Sequence, residues 1–184
     1  MSRSFQSIAG SITAPQGFQA AGVFCDIKRL GTGKGSNKGQ KRDLALIVSE
    51  APTTVAGLFT TNQVCAAPVK VCVERVKQGV AQAIVVNSGN ANACTGRQGM
   101  KDALAMTEIA ARAVAANVSS RLNSVGTSTS QPRSQERGHG IRAEQVLVGS
   151  TGRIGVNLPM KNVKAGILAA AKLLDASSES ARHV

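Results

Sequence analysis

Gly149-Ser150-Thr151-Gly152 closes the apolar run that begins at Gln145, and it pairs a hydroxyl with flexible backbone. A threonine hydroxyl beside glycine N–H groups can form a small concavity that stabilises a developing oxyanion. The same residues also suit an ordinary Ser/Thr turn at a strand end, so on their own they leave both readings open.

The stretch Asn87-Ser88-Gly89-Asn90-Ala91-Asn92-Ala93-Cys94-Thr95-Gly96 follows another apolar run and has no hydrophobic period of its own. Asn and Gly accept left-handed backbone angles, and Asn amides bond to nearby backbone, so a stack of tight turns explains the segment as well as a functional site does. Gly31-Thr32-Gly33-Lys34-Gly35-Ser36 invites a phosphate-loop reading and fails it. Such a loop needs Gly-Lys followed directly by Ser or Thr and then a helix, whereas Gly35 follows Lys34. A basic hairpin loop is the better reading.

Other chemistry is scarce. Cys25, Cys65, Cys72 and Cys94 include no CxxC pair, and only His139 and His183 could join them, so a structural zinc site is disfavoured. Cys25 and Cys72 lie inside apolar runs and read as buried structural thiols, kept reduced in a cytoplasmic setting. No Ser-His-Asp arrangement can be argued. Asp26, Asp43 and Asp102 stand near the ends of elements, where a solvated carboxylate or a helix N-terminal charge is the ordinary explanation.

Positioning these segments requires a sheet with packed helices. Residues 17–27 and 43–49 read as two strands joined by the basic Gly-rich stretch. Residues 54–60 and 68–73 read as further apolar strand segments and 81–87 as another strand, so that four or five strands precede the first long helix. That helix is expected from Met100 to Leu122, with Met100, Leu104, Ala111, Ala115, Val118 and Leu122 on its packed face. Residues 145–152 read as a strand ending in a turn. Pro159 then opens a second helix whose stripe is Met160, Val163, Ile167, Ala171 and Leu174. Between the helix and that strand, the polar residues 123–140 read as an exposed insertion. Strands followed by helices indicate an α/β fold, a mixed sheet with packed helices. The chain reads as one domain, 12–184, preceded by a short arm, 1–11.

Composition narrows the class. The chain has 184 residues, is 42% hydrophobic, and contains four Phe, no Trp and no Tyr, so its core must be built from aliphatic layers. A net charge of +12 raises nucleic acid as a partner, but the cations are spread along the chain and aromatic stacking groups are missing. A non-catalytic basic module for an anionic ligand or nucleic acid therefore stays as the alternative function. No run is long enough for a membrane span, and the N-terminus lacks the apolar region of a secretory signal.

Taken together, ITAPQGFQAAGV (12–23), DLALIVSEAPTTVAGLFTTNQVCAAPV (43–69), AIVVNSGNANACTG (83–96) and VLVGSTGRIGVNLPM (146–160) resemble the ornithine acetyltransferase (glutamate N-acetyltransferase) family over most of the chain. The resemblance implies an N-terminal-nucleophile-like α/β fold. It also implies a cytoplasmic enzyme of arginine biosynthesis that moves acetyl from N-acetylornithine to glutamate, with acetyl-CoA as a second donor in some members and no metal or cofactor. In that family the precursor cuts itself at an Ala-Thr bond, and the freed N-terminal threonine of the C-terminal chain is the nucleophile. Matched residue by residue, Thr151 and Gly152 correspond to the family's oxyanion-hole pair, and the Asn87–Gly96 segment lines or supports the same site.

Three departures bear on activity. The sequence stops at Val184 without an Ala-Thr pair, so the resemblance implies an N-terminal (alpha-chain) portion, inactive until it joins a C-terminal (beta) chain in a hetero-oligomer. Residues 123–140 stand where the family has a short link. Arg153 places a cation directly after the Ser-Thr-Gly motif, where a small or apolar residue is expected.

Overall fold

The structure is a computed structural model that describes residues 7, 8, 10–28, 41–124 and 140–184, with 119–124 as backbone only. The Gly31–Ser36 loop, His139 and most of the polar stretch 123–140 lie outside the described residues, as does the beginning of the N-terminal arm.

Among the described residues, alternating apolar residues produce four strands: β1 (Phe18–Val23), β2 (Leu44–Thr54), β3 (Val80–Asn90) and β4 (Val146–Arg153). They form one sheet in the order β1-β2-β3-β4. β1 and β2 pair antiparallel as the expected hairpin, Phe18 opposite Ser49 and Val23 opposite Leu44. β2 and β3 are also antiparallel, with a register break between Val48 and Thr53. β3 and β4 run parallel, which requires a crossover, and the long helix between them supplies it.

The helices are α1 (Ala67–Val76), α2 (Gly96–Ser124), α3 (Met160–Lys172) and the short α4 (Ser178–Arg182). Ala21, Leu46, Val85 and Val148 are register neighbours across all four strands, and all are buried. Onto this face pack Val71 and Cys72 of α1, Met106, Ala110 and Val114 of α2, and Val163, Ile167 and Ala170 of α3. Each large aliphatic side chain buried in this way contributes about 1.5–3 kcal/mol. The core is aliphatic, as the composition requires. The next register row, Ile47, Ile84 and Leu147, faces the other way and lines an open apolar groove of about 180 Å³ together with Ile12 and Phe18.

Several expectations need correction. Residues 68–73 are helical, so among the described residues three strands and a helix precede the long helix. Alternating valines at 69, 71 and 73 imitate a strand, but Pro68 starts the helix, and Pro68, Val71, Cys72 and Arg75 recur at helical spacing on its buried side. Of residues 54–60 only Thr54 belongs to a strand, and Leu58 is fully exposed.

α2 is longer than expected and presents a different face. Ala103, Met106, Thr107, Ala110, Ala113 and Val114 are buried with Ala111, whereas Leu104 and Val118 are exposed. Small residues win the contact because they let the helix axis approach its neighbours, and Asn117 Nδ2 donates to Ala171 O of α3 at 2.7 Å. The stripe of α3 is as expected from Val163 through Ile167 to Ala171, with Leu174 buried just beyond the helix and Met160 partly buried. Among the cysteines, Cys72 is buried and Cys25 half-buried against the core. Asp43 and Asp102 are buried rather than solvated, and Gln98 Nε2 donates to Asp102 Oδ1 at 2.7 Å.

Candidate functional site

The C-terminal ends of β3 and β4 lie side by side, and every residue singled out there falls into register. Asn87 is opposite Ser150, Ser88 opposite Thr151, Gly89 opposite Gly152 and Asn90 opposite Arg153. Strand alternation puts Ser150 on the helix-covered face with Val146 and Val148. Thr151 shares the open face with Leu147 and Gly149. Thr151, Gly152 and Arg153 are all exposed. The strand does not end in a turn at Gly152 but stays paired through Arg153.

Behind this exposed edge stands a network of polar side chains. Asn87 is completely buried, its Oδ1 accepts from Ser150 Oγ at 2.6 Å, and its Nδ2 donates to Asn90 O at 2.9 Å. Asn90 Nδ2 donates to Val156 O at 2.9 Å and to Asn157 O at 3.2 Å, while Asn90 Oδ1 accepts from Asn92 N at 2.8 Å. Asn92, also fully buried, donates from Nδ2 to Gly99 O at 2.8 Å and accepts at Oδ1 from Thr95 Oγ1 at 2.7 Å. These amides bind neighbouring chain rather than facing outward. Buried polar groups are costly unless paired, so the network holds this end of the sheet in one conformation. The pairing of β3 with β4 continues beyond the strands, through Ala91 N–H to Arg153 O and Gly155 N–H to Ala93 O, both at 2.8 Å.

Two glycines permit the closest approach. Gly152 has φ of +133°, and a Cβ there would stand 2.3 Å from the carbonyl carbon of Gly89. Gly89 has φ of +108°, and its own Cβ would fall 2.5 Å from Lys28 Cα. The chain around Lys28 thus crosses directly over Gly89.

Asp43, which sequence reasoning left as a solvated carboxylate, holds that crossing segment. Its Oδ1 accepts from Cys25 N at 2.7 Å, and its Oδ2 accepts from Ile27 N at 2.7 Å and Lys28 N at 3.0 Å. Its backbone O accepts from Ser88 N at 2.8 Å. Three charge-assisted bonds to backbone stabilise the tight segment, in which Asp26 takes φ of +66°. An acidic residue between a basic loop and an apolar strand carries no local signal of this role. Burial, with Asp43 and then Asp26 adding repulsion, pushes the Cys25 thiol far above its ordinary range and keeps it protonated.

The structure therefore brings Thr151 and Gly152 together at an exposed strand end backed by the Asn87–Gly96 segment. His183, the other histidine considered, closes α4 and lines a polar cleft with Ser88, Asn87, Lys28 and Arg42.

The profile of the ArgJ family matches residues 19–183. The Arginine biosynthesis bifunctional protein ArgJ of Symbiobacterium thermophilum is 46% identical over 167 residues, which cover 91% of this chain and 34% of that protein. The ArgJ of Thermosynechococcus vestitus is 37% identical over 179 residues, 96% of this chain and 35% of that protein. The chain thus spans about a third of the length of these relatives.

Two solved structures superpose on it. The crystal structure of ArgJ from Bacillus halodurans has a TM-score of 0.71 at 34% identity, covering 95% of this chain and 72% of that one. The ornithine acetyltransferase of Mycobacterium tuberculosis, solved in complex with ornithine, has a TM-score of 0.72 at 36% identity, covering 95% and 76%. With the profile matched across nearly the whole chain and the fold shared, this protein belongs to the ArgJ family of ornithine acetyltransferases.

Proposed function

We propose that this chain supplies the N-terminal portion of an acetyltransferase that moves acetyl from N-acetylornithine to glutamate in the cytoplasm, and that Thr151 and Gly152 are its oxyanion-hole pair. The observation that carries the reading is the exposed Thr151–Gly152 edge, set against the Asn87–Ser150 bond and the Gly89 backbone. In such a site the hydroxyl and the N–H donate to the oxygen of the tetrahedral intermediate as charge develops on it. Rigid donors stabilise that charge more than water does, because they need not reorganise. The nucleophile comes from a C-terminal chain, and without it the chain is inactive. The apolar groove around Ile47, Ile84 and Leu147 lies on the same sheet face as Thr151 and offers such a partner a surface.

The test combines this chain with the C-terminal portion of the Symbiobacterium thermophilum relative and follows acetylglutamate formation from N-acetylornithine. The expected outcome is no turnover by the chain alone and turnover by the combination. Thr151→Ala should lower it about 10²- to 10³-fold, and Thr151→Ser should recover most of it. Transfer by the chain alone, or a Thr151→Ala combination as fast as the parent, would sink the proposal.

A further inference from the structure

Two of the four cysteines share one wall of the molecule. Cys65 stands two residues ahead of the first residue of α1, and Cys94 two residues ahead of the first residue of α2. Both line the same cleft of about 300 Å³, together with Gln63, Lys70, Asn92 and Thr95. The segments that carry them are stitched together by a backbone hydrogen bond, Ala67 N–H to Asn92 O at 3.2 Å. Counting two residues back from Ala67 and two forward from Asn92 arrives at the two thiols.

The cysteines divide by environment. Cys72 is buried, and its Sγ donates to Val148 O at 3.2 Å. Cys25 is packed against Gly166, where an added Cβ would stand 2.7 Å from Cys25 Sγ, and burial keeps its thiol protonated. Cys65 is half-buried and Cys94 exposed, so both can meet a solution thiol or disulfide. Thiol–disulfide exchange requires that access.

We propose that Cys65 and Cys94 form a redox pair that closes reversibly into a disulfide across the cleft. With glutathione disulfide as oxidant, one cysteine thiolate attacks a glutathione sulfur, breaking its S–S bond and releasing one glutathione thiolate. The second cysteine thiolate attacks the mixed disulfide at the protein sulfur and releases the other. In sum two cysteine thiols are oxidised to one disulfide and one glutathione disulfide is reduced to two thiols, which take up the two protons. The closed bond ties the start of α1 to the segment leaving β3. That segment is bonded to the flank of Thr151–Gly152 through Ala93 O and Gly155 N–H. The pair's chemistry stands independently of acetyl transfer.

The experiment equilibrates the full chain in glutathione buffers of increasing disulfide content, traps free thiols with iodoacetamide, and digests it with trypsin without reductant. Mass spectrometry is expected to find peptide 43–70 joined to peptide 78–97, with Cys25 and Cys72 left as thiols. Dithiothreitol should release the joined peptides. Cys65→Ser and Cys94→Ser should each abolish the joined species while far-UV circular dichroism stays unchanged. Glutathione adducts without the joined peptides, a disulfide involving Cys25 or Cys72, or only disulfide-linked dimers would overturn the proposal.

Discussion

Gly152 rests on Gly89 so closely that a single added carbon would stand 2.3 Å from the Gly89 carbonyl carbon. Both residues have positive φ, so the contact depends on two glycines at once. Gly152→Ala should therefore carry a steric cost of about 1–3 kcal/mol and a backbone cost of similar size. Gly155→Ala is the matched control, because its φ is +78° but nothing lies within 4 Å of the added carbon. It should cost about 1 kcal/mol. Urea unfolding of the two variants checks the difference, and equal losses would show that the Gly89 contact yields.

The Asn87–Ser150 bond joins the two strand ends on the buried face. Asn87→Ala leaves the Ser150 hydroxyl and Asn90 O without that partner and should cost about 1–3 kcal/mol. Ser150→Ala, which leaves one amide oxygen short, should cost less. A double-mutant cycle on unfolding free energy should return a coupling of about 0.5–3 kcal/mol, and additive losses would argue against a direct bond.

Asp43→Asn keeps the shape and removes the charge that three backbone N–H groups share. Each such bond to a charged group contributes about 1.5–3 kcal/mol, and the amide retains only one good acceptor oxygen. A loss of about 3 kcal/mol is expected. Amide hydrogen exchange should accelerate at Cys25, Ile27 and Lys28 before it does so in the core, and uniform acceleration would contradict the local role.

Cys25 links stability to alkaline pH. Its thiol is held protonated in the folded chain, whereas in the unfolded chain it ionises around the ordinary value of 9.0. The folded state thus binds the extra proton above that pH, so the stabilising contribution is complete below 9.0 and is lost as pH rises beyond it. Relative to the parent, Cys25→Ala should show a shallower fall in unfolding free energy above pH 9.0, and parallel pH profiles would count against the assignment.

Arg75 is a buried cation with no carboxylate bond among the described residues; it donates to Val146 O and, from NH2, to Thr107 Oγ1 at 2.9 Å. Burial lowers its affinity for a proton, against attraction from the carboxylates of Glu144 and Glu108. Arg75→Met preserves the apolar stem and should cost about 1–3 kcal/mol through the orphaned Val146 carbonyl at the start of β4. Unfolding by urea measures it, and an unchanged midpoint would mean that the carbonyl finds another donor.

Much was legible in the residues themselves. Period-two runs at 18–23, 44–49 and 81–87 specified strands, because alternating side chains put one apolar face on a sheet, and Pro159 with the Val163–Ile167–Ala171 spacing specified a helix. The order VVNSGNANACTG, then STGRIG, carried the family, since side-chain types at fixed spacing are a property of the chain alone. What local pattern could not decide was which period wins in a short apolar run, and residues 68–73 became a helix. Nor could it choose the face of an alanine-rich helix, because closeness of approach depends on the neighbour. The roles of Asp43 and of Asn87, Asn90 and Asn92 were likewise decided in three dimensions. A carboxylate or an amide is indifferent to its place in the sequence, and only burial beside particular N–H and C=O groups turns it from a solvated side chain into the support of the Thr151–Gly152 edge.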